Sequence, residues 1–261
     1  MFNFHWLARE NYSIEELKSI SSKLNEAGYE SVLFTYHSQT PDTFIKIPRI
    51  IDINHKIKYM IAIRPHAISP EYLQMQCDGF NEIQKDRLII NFVAGDIMSG
   101  EDQPIPLINK KDTKTDLESR KENLVEFLEI FSKLSNNRSQ IAITGTSDIL
   151  IKAAEKYAGT LISPLYAYNN IVNSNINKKI IAVRVFIRDT QDEVDSIIKN
   201  NPEYGLNPEY SGAEDKVIKS ILKLHNKGIK DIMLAAVFGD LEKDRIHNLV
   251  KKIKEFDSAN I

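Results

Sequence analysis

The sequence has few of the residues that mark several classes of protein. Its 261 residues include one cysteine, Cys77, which excludes an internal disulfide and a metal site built from several cysteines. Cys77 lies within an apolar helical pattern, so we predict that it packs in the core rather than acting as a nucleophile. No glycine-rich dinucleotide fingerprint follows the first predicted strand, which argues against a nicotinamide-binding domain.

Excess charge, long apolar runs and metal-binding spacings are also lacking. The formal net charge of −2 gives no general attraction to nucleic acid or to acidic membranes. No apolar run approaches the roughly 20 residues of a membrane helix, and the N-terminal stretch MFNFHWLARENYS does not resemble a signal peptide. No H-E-x-x-H or similar cluster indicates a metal site. We therefore expect a cytoplasmic protein with neither nucleic acid nor membrane as a partner.

Short apolar strands alternate with longer amphipathic helices along the whole chain, which we assign to one domain, residues 1–261. This alternation is the α/β signature. Strands are predicted at 2–6, 31–35, 58–63, 87–93, 140–144, 159–163, 180–187 and 231–236. Helices are predicted near 13–27, 43–54, 69–83, 116–135, 147–157, 213–228 and 240–256, with a short or irregular connection at 164–179. Eight strands with crossovers favour a (β/α)8 TIM barrel over an open doubly wound sheet.

Polar residues stand within otherwise apolar strands. In the stretch MIAIRPHAISP, residues 60–70, Ala62 and Arg64 share one face, which places Arg64 at the barrel mouth. The same alternation turns Arg184 and Asn91 inward. A buried arginine needs a negative partner, and two alternatives remain open here. The partner is either an internal carboxylate, such as Asp42 or Asp96, or an anionic ligand whose oxygens match the guanidinium.

The stretch TGTSD, residues 144–148, follows the fifth strand and begins a helix. Backbone N–H groups at a helix N-terminus, with Gly145 allowing close approach and Thr146 and Ser147 adding hydroxyls, form a phosphate cradle. The alternative is that Thr146 or Ser147 only caps the helix. His5 is placed at the end of the first strand, at a rim position where a substrate contact is one alternative and core packing or surface exposure is the other. These features alone indicate a barrel enzyme that binds a phosphorylated or anionic ligand.

Several motifs, in order along the chain, resemble one family. MIAIRPHAISP, followed by a helix and KDRLIINFVAGD, is similar to the central signature of the bacterial luciferase-like flavin monooxygenases, nearest their alkanesulfonate monooxygenase branch. The similarity extends through AGYESVLF, SRKENLVEFLEIFSKL, TGTSDILIKAAEKYA, RVFIRDTQDEV and HNKGIKDIML. The family fold is a (β/α)8 barrel, here with reduced insertions.

The resemblance implies reduced FMN at the barrel mouth, where it reacts with O₂ to oxygenate a small, possibly anionic substrate. A separate flavin reductase would supply the reduced FMN. By position, the resemblance assigns the flavin site to Thr40, Ala62, Asn91, Gly145, Thr146 and Ser147. It places Arg64 at the catalytic mouth and His66 in the loop that follows, where a catalytic role and a solvent-facing position are both open. Arg184, which the strand pattern turns inward, is the third candidate catalytic residue. Family members suggest a homodimer or other homo-oligomer.

Three positions depart from the family pattern. Ala182 stands where the sulfonate branch has an arginine on the seventh strand, and Leu117 and Lys121 replace a histidine and a tyrosine that contact the flavin in many relatives. The lid after the seventh strand is reduced to residues 200–212, and a partner subunit could supply the missing cover. Two further readings therefore stand beside the monooxygenase: a non-catalytic luciferase-like barrel, as partner subunit or binding protein, and a deazaflavin-dependent oxidoreductase.

Overall fold

The computed structural model describes residues 2–8, 12–35, 43–50, 56–94, 117–134, 140–201, 208–237 and 240–259. In these parts of the chain the strands are β1 (Asn3–Ala8), β2 (Ser31–Phe34), β3 (Lys58–Ile63), β4 (Leu88–Val93), β5 (Ile141–Thr144), β6 (Thr160–Pro164), β7 (Lys178–Ile187), β8 (Tyr210–Gly212) and β9 (Asp231–Ala236). The α-helices are α1 (Ile14–Glu26), α2 (Thr43–Lys46), α3 (Pro70–Ile83), α4 (Leu117–Leu134), α5 (Asp148–Tyr157), α6 (Tyr168–Ile171), α7 (Gln191–Asn200), α8 (Glu214–His225) and α9 (Asp240–Ala259).

Eight of these strands close into a parallel barrel. Strands β1 to β6 pair in chain order, β6 pairs with β7, β7 with β9, and β9 with β1. Strand β8 lies outside the ring, because it pairs only with the last residues of β7, from Val185 to Ile187. The predicted (β/α)8 barrel is therefore confirmed.

The barrel interior and the layer under the helices are filled by opposite faces of the same strands. On β3, Met60 and Ala62 belong to the interior cluster, whereas Ile61 and Ile63 belong to the larger cluster that packs against the helices. This alternation follows from the two-residue period of a strand. The interior cluster consists of Leu33, Met60, Ala62, Ile89, Ala142, Ile162, Ile180 and Met233, with Leu7, Val93 and Ala182 packed against it.

Several helices begin where the sequence supplies a capping side chain. Ser13 accepts a hydrogen bond from the N–H of Glu16, whose own carboxylate accepts from the N–H of Ser13, so α1 starts with a capping box. Ser69 caps α3 in the same sense, just before Pro70. The caps fix where each helix leaves its strand, and so they fix the loops at the barrel mouth.

The predicted elements differ from the structure in four places. The sequence analysis missed α7, which Thr190 caps, and the three-residue β8. Strand β1 continues two residues past its predicted end, to Ala8. The helix predicted at 43–54 is only one turn, α2, followed by a 3₁₀ turn at Ile47–Arg49 that contains Pro48. A proline lacks the N–H that would continue an α-helix. The short α6 agrees with the predicted irregular connection at 164–179.

Two further predictions concern Cys77 and membrane-spanning helices. Cys77 is buried on α3, and this burial raises the pKa of its thiol to about 12, which fits a packing role. None of the described helices is both long and apolar enough to cross a membrane.

Candidate functional site

Neighbouring strands bring polar side chains to the carboxyl end of the barrel. Asn91 on β4 lies in register with Ala62 on β3 and Ala142 on β5, and all three point inward. The two methyl side chains leave space beside the amide. Asn91 is 1% exposed, its Oδ1 accepts a 2.9 Å hydrogen bond from Thr144 Oγ1, and its Nδ2 has no partner among the described residues. A buried amide donor without a partner is costly, so this N–H is suited to a ligand.

The connection from β5 to α5, where a phosphate cradle is predicted, is held close to β6 and to α5. The Gly145 N–H donates to the Ile162 carbonyl at 3.0 Å, which ties the loop to β6. A Cβ at position 145 would lie 2.3 Å from Leu150 Cδ1, so only glycine fits without moving Leu150. Thr146 is half-buried beside it. Glycine is therefore favoured at this position by its packing against Leu150, which is a different contact from the predicted approach of a phosphate.

Ser147 occupies the N-cap position of α5 but does not cap it. Its backbone is extended, and its hydroxyl makes no bond to the helix, unlike the hydroxyls of Ser13, Ser69 and Thr190 on their helices. The buried Ser147 Oγ has no hydrogen-bond partner among the described residues. The first N–H groups of any helix also lack intrahelical partners. The alternative that Ser147 serves only as a helix cap is not what the structure shows.

Arg64 follows β3 directly and is buried. Its backbone remains extended, at φ −97° and ψ 114°, so the alternation of β3 continues and carries its side chain to the inward face with Ala62. Pro65 then starts a 3₁₀ turn that contains His66, which is half-buried. The prediction that Arg64 lies on the inward face at the mouth agrees with this backbone geometry.

Arg184 lies on β7, four strands from Arg64 and so on the opposite side of the barrel. Its Nη2 donates to Glu209 Oε1 at 3.0 Å, its Nε to Glu209 Oε2 at 3.2 Å, and its backbone N–H to the same Oε2 at 2.6 Å. For Arg184 the internal carboxylate is therefore present, but it is Glu209 rather than Asp42 or Asp96. The Arg184 side chain is 39% exposed, and no hydrogen bond from its Nη1 is described.

The sequence analysis missed Glu209, and no short motif marks it. Residues 184 and 209 are separated by α7, and they meet only because β8 returns beside the end of β7. Spacing along the chain gives no signal for such a pair. A carboxylate just before a short edge strand is the only hint in the sequence.

The remaining predicted residues fall into two groups. Thr40, Asp42, Asp96 and the loop 95–115 lie outside the described residues. Lys121 forms an ion pair of 2.5 Å with Glu118 on the same face of α4, and Leu117 is 42% exposed. Lys121 therefore has a carboxylate partner on its own helix.

His5 lies at the opposite end of the barrel from the predicted mouth. Because β1 runs to Ala8, His5 is near its start, in register with Ser31 at the first position of β2. Its Nδ1 is 2.6 Å from Ser31 Oγ, and its Nε2 is 3.3 Å from Asp231 Oδ1, at the start of β9. The prediction of a rim position at the mouth was wrong for this residue, because the strand end had been placed two residues early.

With this geometry in hand, the chain can be compared with known proteins. No protein-family model matches the sequence. Among solved structures, the EDTA monooxygenase of Chelativorans sp. BNC1 has a TM-score of 0.71 and 10% identity, covering 98% of this chain and 94% of that one. The oxygenating constituent of 3,6-diketocamphane monooxygenase from Pseudomonas putida, in complex with FMN, has a TM-score of 0.60 and 14% identity, covering 96% of both chains. An F420-dependent secondary alcohol dehydrogenase has a TM-score of 0.70 and 11% identity, covering 97% of this chain and 98% of that one.

These similarities define the class of fold. The chain folds as a (β/α)8 barrel over almost its whole length. More particularly, it shares its arrangement of strands and helices with the barrels of the EDTA monooxygenase and of the diketocamphane oxygenating constituent.

Proposed function

We propose that this protein is a flavin-dependent monooxygenase that binds reduced FMN at the carboxyl end of its barrel. One observation carries the proposal: two buried polar atoms on neighbouring elements, Asn91 Nδ2 and Ser147 Oγ, have no partner among the described residues. They flank a glycine loop that opens a helix, which is the arrangement a phosphorylated ring cofactor needs. The luciferase-like fold supports the same function, by analogy alone.

Different residues at the mouth bind different parts of the cofactor. Thr146 and Ser147 bind the phosphate with backbone N–H groups and hydroxyls, next to Gly145, whose own N–H already donates to Ile162. Asn91 donates its free N–H to the ring. Ala62 keeps the space beside Asn91 open. Reduced FMN, when bound, supplies the electrons with which O₂ is activated and one oxygen atom is transferred to the substrate.

In this proposal a second protein supplies the reduced FMN, and another copy of this chain supplies the cover over the mouth. The sequence has no nicotinamide fingerprint, so a separate reductase provides the reduced flavin. We also propose a homo-oligomer, because the reaction needs shielding from water. Light scattering of the purified protein measures its oligomeric state.

The test of the cofactor is an anaerobic titration with FMN and with dithionite-reduced FMN, followed by flavin absorbance and fluorescence. We expect preferential binding of the reduced form, and we expect Asn91→Leu to weaken it by about tenfold, since one hydrogen bond to a buried group is worth about 1 kcal/mol or more. Ser147→Ala should weaken it in the same direction.

Thr144→Val provides the matched control for Asn91→Leu. It removes the donor to Asn91 Oδ1 but leaves the Nδ2 group, so it reports how much of the loss comes from repacking alone. A wild-type protein that binds neither form of FMN would refute the proposal and favour the non-catalytic barrel.

A deazaflavin is the second candidate cofactor, because an F420-dependent dehydrogenase is among the structures that share the fold along the full chain. The cradle and Asn91 would accept either ring. Competition between reduced F420 and reduced FMN in the same titration separates the two. Tighter binding of reduced F420, with hydride transfer to a ketone or imine and no O₂ consumption, would replace the monooxygenase.

Arg184 is proposed to contact the substrate through the edge of its guanidinium that carries Nη1. Glu209 engages the other edge and holds the group in place. We expect Arg184→Ala to lower kcat/KM by about 10- to 100-fold, the range for one charged hydrogen bond of 1.5–3 kcal/mol, while the Kd for reduced FMN stays unchanged. Product formation from sulfonates, carboxylates and thioethers measures turnover.

Arg184→Lys keeps the positive charge but loses the planar guanidinium with its several N–H donors. For an anionic substrate we therefore expect a kcat/KM nearly as low as that of Arg184→Ala. Unchanged turnover in Arg184→Ala would remove Arg184 from the reaction.

A further inference from the structure

We propose that the amino end of the barrel carries a second site, which binds one divalent transition-metal ion such as Zn²⁺. Its ligands are His5 Nε2 and one carboxylate oxygen each from Glu30 and Asp231. These three atoms lie within 4.8 Å of one another. The site is at the opposite end of the barrel from the flavin mouth, so it does not rest on the proposed cofactor.

The separation of two of the ligands already fits a bound ion. His5 Nε2 and Asp231 Oδ1 are 3.3 Å apart. Two ligands about 2.0–2.1 Å from a tetrahedral Zn²⁺ are separated by about 3.3 Å, so neither has to move. Glu30 is 43% exposed and is the ligand that adjusts.

The surrounding residues orient the ligands as metal sites require. Ser31 Oγ lies 2.6 Å from His5 Nδ1, so the hydroxyl can accept a hydrogen bond from Nδ1–H in the tautomer that leaves the Nε2 lone pair for an ion. Asn3 Nδ2 donates to Asp231 Oδ1 at 3.1 Å. Both partners come from strand starts at the same end of the barrel, where they are fixed by the sheet.

A cation already occupies the position between the two carboxylates. The ammonium of Lys178 lies 2.7 Å from Glu30 Oε2 and 3.0 Å from Asp231 Oδ1. Two carboxylates this close favour a positive charge between them. Metal binding is then an exchange in which the ion replaces the ammonium.

The structure provides room for that exchange. His5, Glu30 and Lys178 line a cavity of about 480 Å³, and the Lys178 side chain is 33% exposed. Lys178 can turn into this space, and water from it can take the fourth metal position. The cavity is also lined by the ammonium of Lys58, which disfavours a weakly held ion. A mixed nitrogen and carboxylate set therefore fits Zn²⁺ better than Mg²⁺ or Ca²⁺.

The sequence gives no warning of this site, and no metal was predicted. The ligands come from β1, from the residue before β2, and from the start of β9, so no short spacing joins them. Only closure of the barrel brings residues 5 and 231 together.

The experiment is a titration of the full, chelator-treated protein with Co²⁺ and Zn²⁺. Co²⁺ reports tetrahedral coordination by its visible absorption, and competition with a chromophoric chelator gives the Zn²⁺ affinity. We expect one ion per chain in the wild type, binding about tenfold tighter in Lys178→Met, because the competing ammonium is gone. Glu30→Gln should weaken binding by at least about tenfold.

Glu30→Gln changes a half-exposed residue and is expected to fold, whereas substitution of the buried His5 could unfold the barrel start. Circular dichroism checks each variant. The proposal is overturned if the wild type shows no tetrahedral Co²⁺ spectrum, including the case in which only Lys178→Met binds the ion. Equal binding by the wild type and Glu30→Gln would overturn it as well.

Discussion

Gly145→Ala is expected to weaken binding of reduced FMN by at least about tenfold and to destabilise the fold by about 1–3 kcal/mol. The new methyl group would lie 2.3 Å from Leu150 Cδ1, and 3.2 and 3.3 Å from Leu150 Cβ and Cγ. Leu150 is buried on α5, so either its side chain adopts another rotamer in a packed environment or the start of α5 shifts. Chemical denaturation and anaerobic flavin titration measure the two effects.

Gly79→Ala is the matched control, and we expect it to change the free energy of unfolding in the opposite direction. Gly79 lies exposed within α3, and a Cβ there would meet nothing within 4 Å. Alanine favours the helix by about 0.5–1 kcal/mol, so this variant should be more stable and bind flavin normally. If both alanines behaved alike, the close packing of Gly145 against Leu150 would not be what the cradle requires.

The sequence predicted most of the barrel because the barrel depends on local patterns. Strands such as β3 and β4 are short apolar runs, and their helices follow with a capping residue, as Ser69 caps α3. The same period of two placed Arg64 and Asn91 on the inward face, next to Ala62. The two missed elements differ in kind. Thr190 and Glu193 form the T-x-x-E pattern that marks the start of α7, so that signal was overlooked, whereas β8 has only three residues, too few to show a period of two.

The sequence could not predict contacts between residues far apart along the chain. The partner of Arg184 is Glu209, which the return of β8 brings to it. His5 was placed at the wrong end of the barrel by an error of two residues in one strand boundary. Pairings of this kind depend on strand length and register, which composition and periodicity do not fix.

Acidification is expected to destabilise the protein through His247, by about 3 kcal/mol between pH 7.5 and pH 4. His247 lies on α9 and is buried against two aromatic rings. Its ring centroid lies 4.9 Å from that of Trp6 and 5.5 Å from that of Tyr29. Burial lowers its pKa to about 4, from 6.5, and nearby lysines, including Lys23 and Lys243, act in the same direction against an opposing effect of Asp244.

The sign follows from proton binding. Between pH 6.5 and pH 4 the unfolded chain holds a proton on this histidine and the folded protein does not, so acid favours unfolding. The contribution of His247 to the free energy of unfolding is fully present above pH 6.5 and is lost as the pH falls toward 4. Urea denaturation at several pH values, followed by circular dichroism, gives the free energy of unfolding at each.

His247→Gln removes the titration and isolates it from the carboxylates that also protonate in acid. The glutamine loses the ring contacts with Trp6 and Tyr29, so we expect it to be less stable than the wild type at pH 7.5 by about 1 kcal/mol. Near pH 4 the order should reverse, because only the wild type has lost the histidine contribution. Tyr29→Phe removes the hydroxyl that lies 3.2 Å from His247 Nδ1 but keeps the ring buried, so it should retain the wild-type slope. Parallel curves for the wild type and His247→Gln would mean that His247 is protonated without unfolding, and that burial of its ring is not the cause of the acid sensitivity.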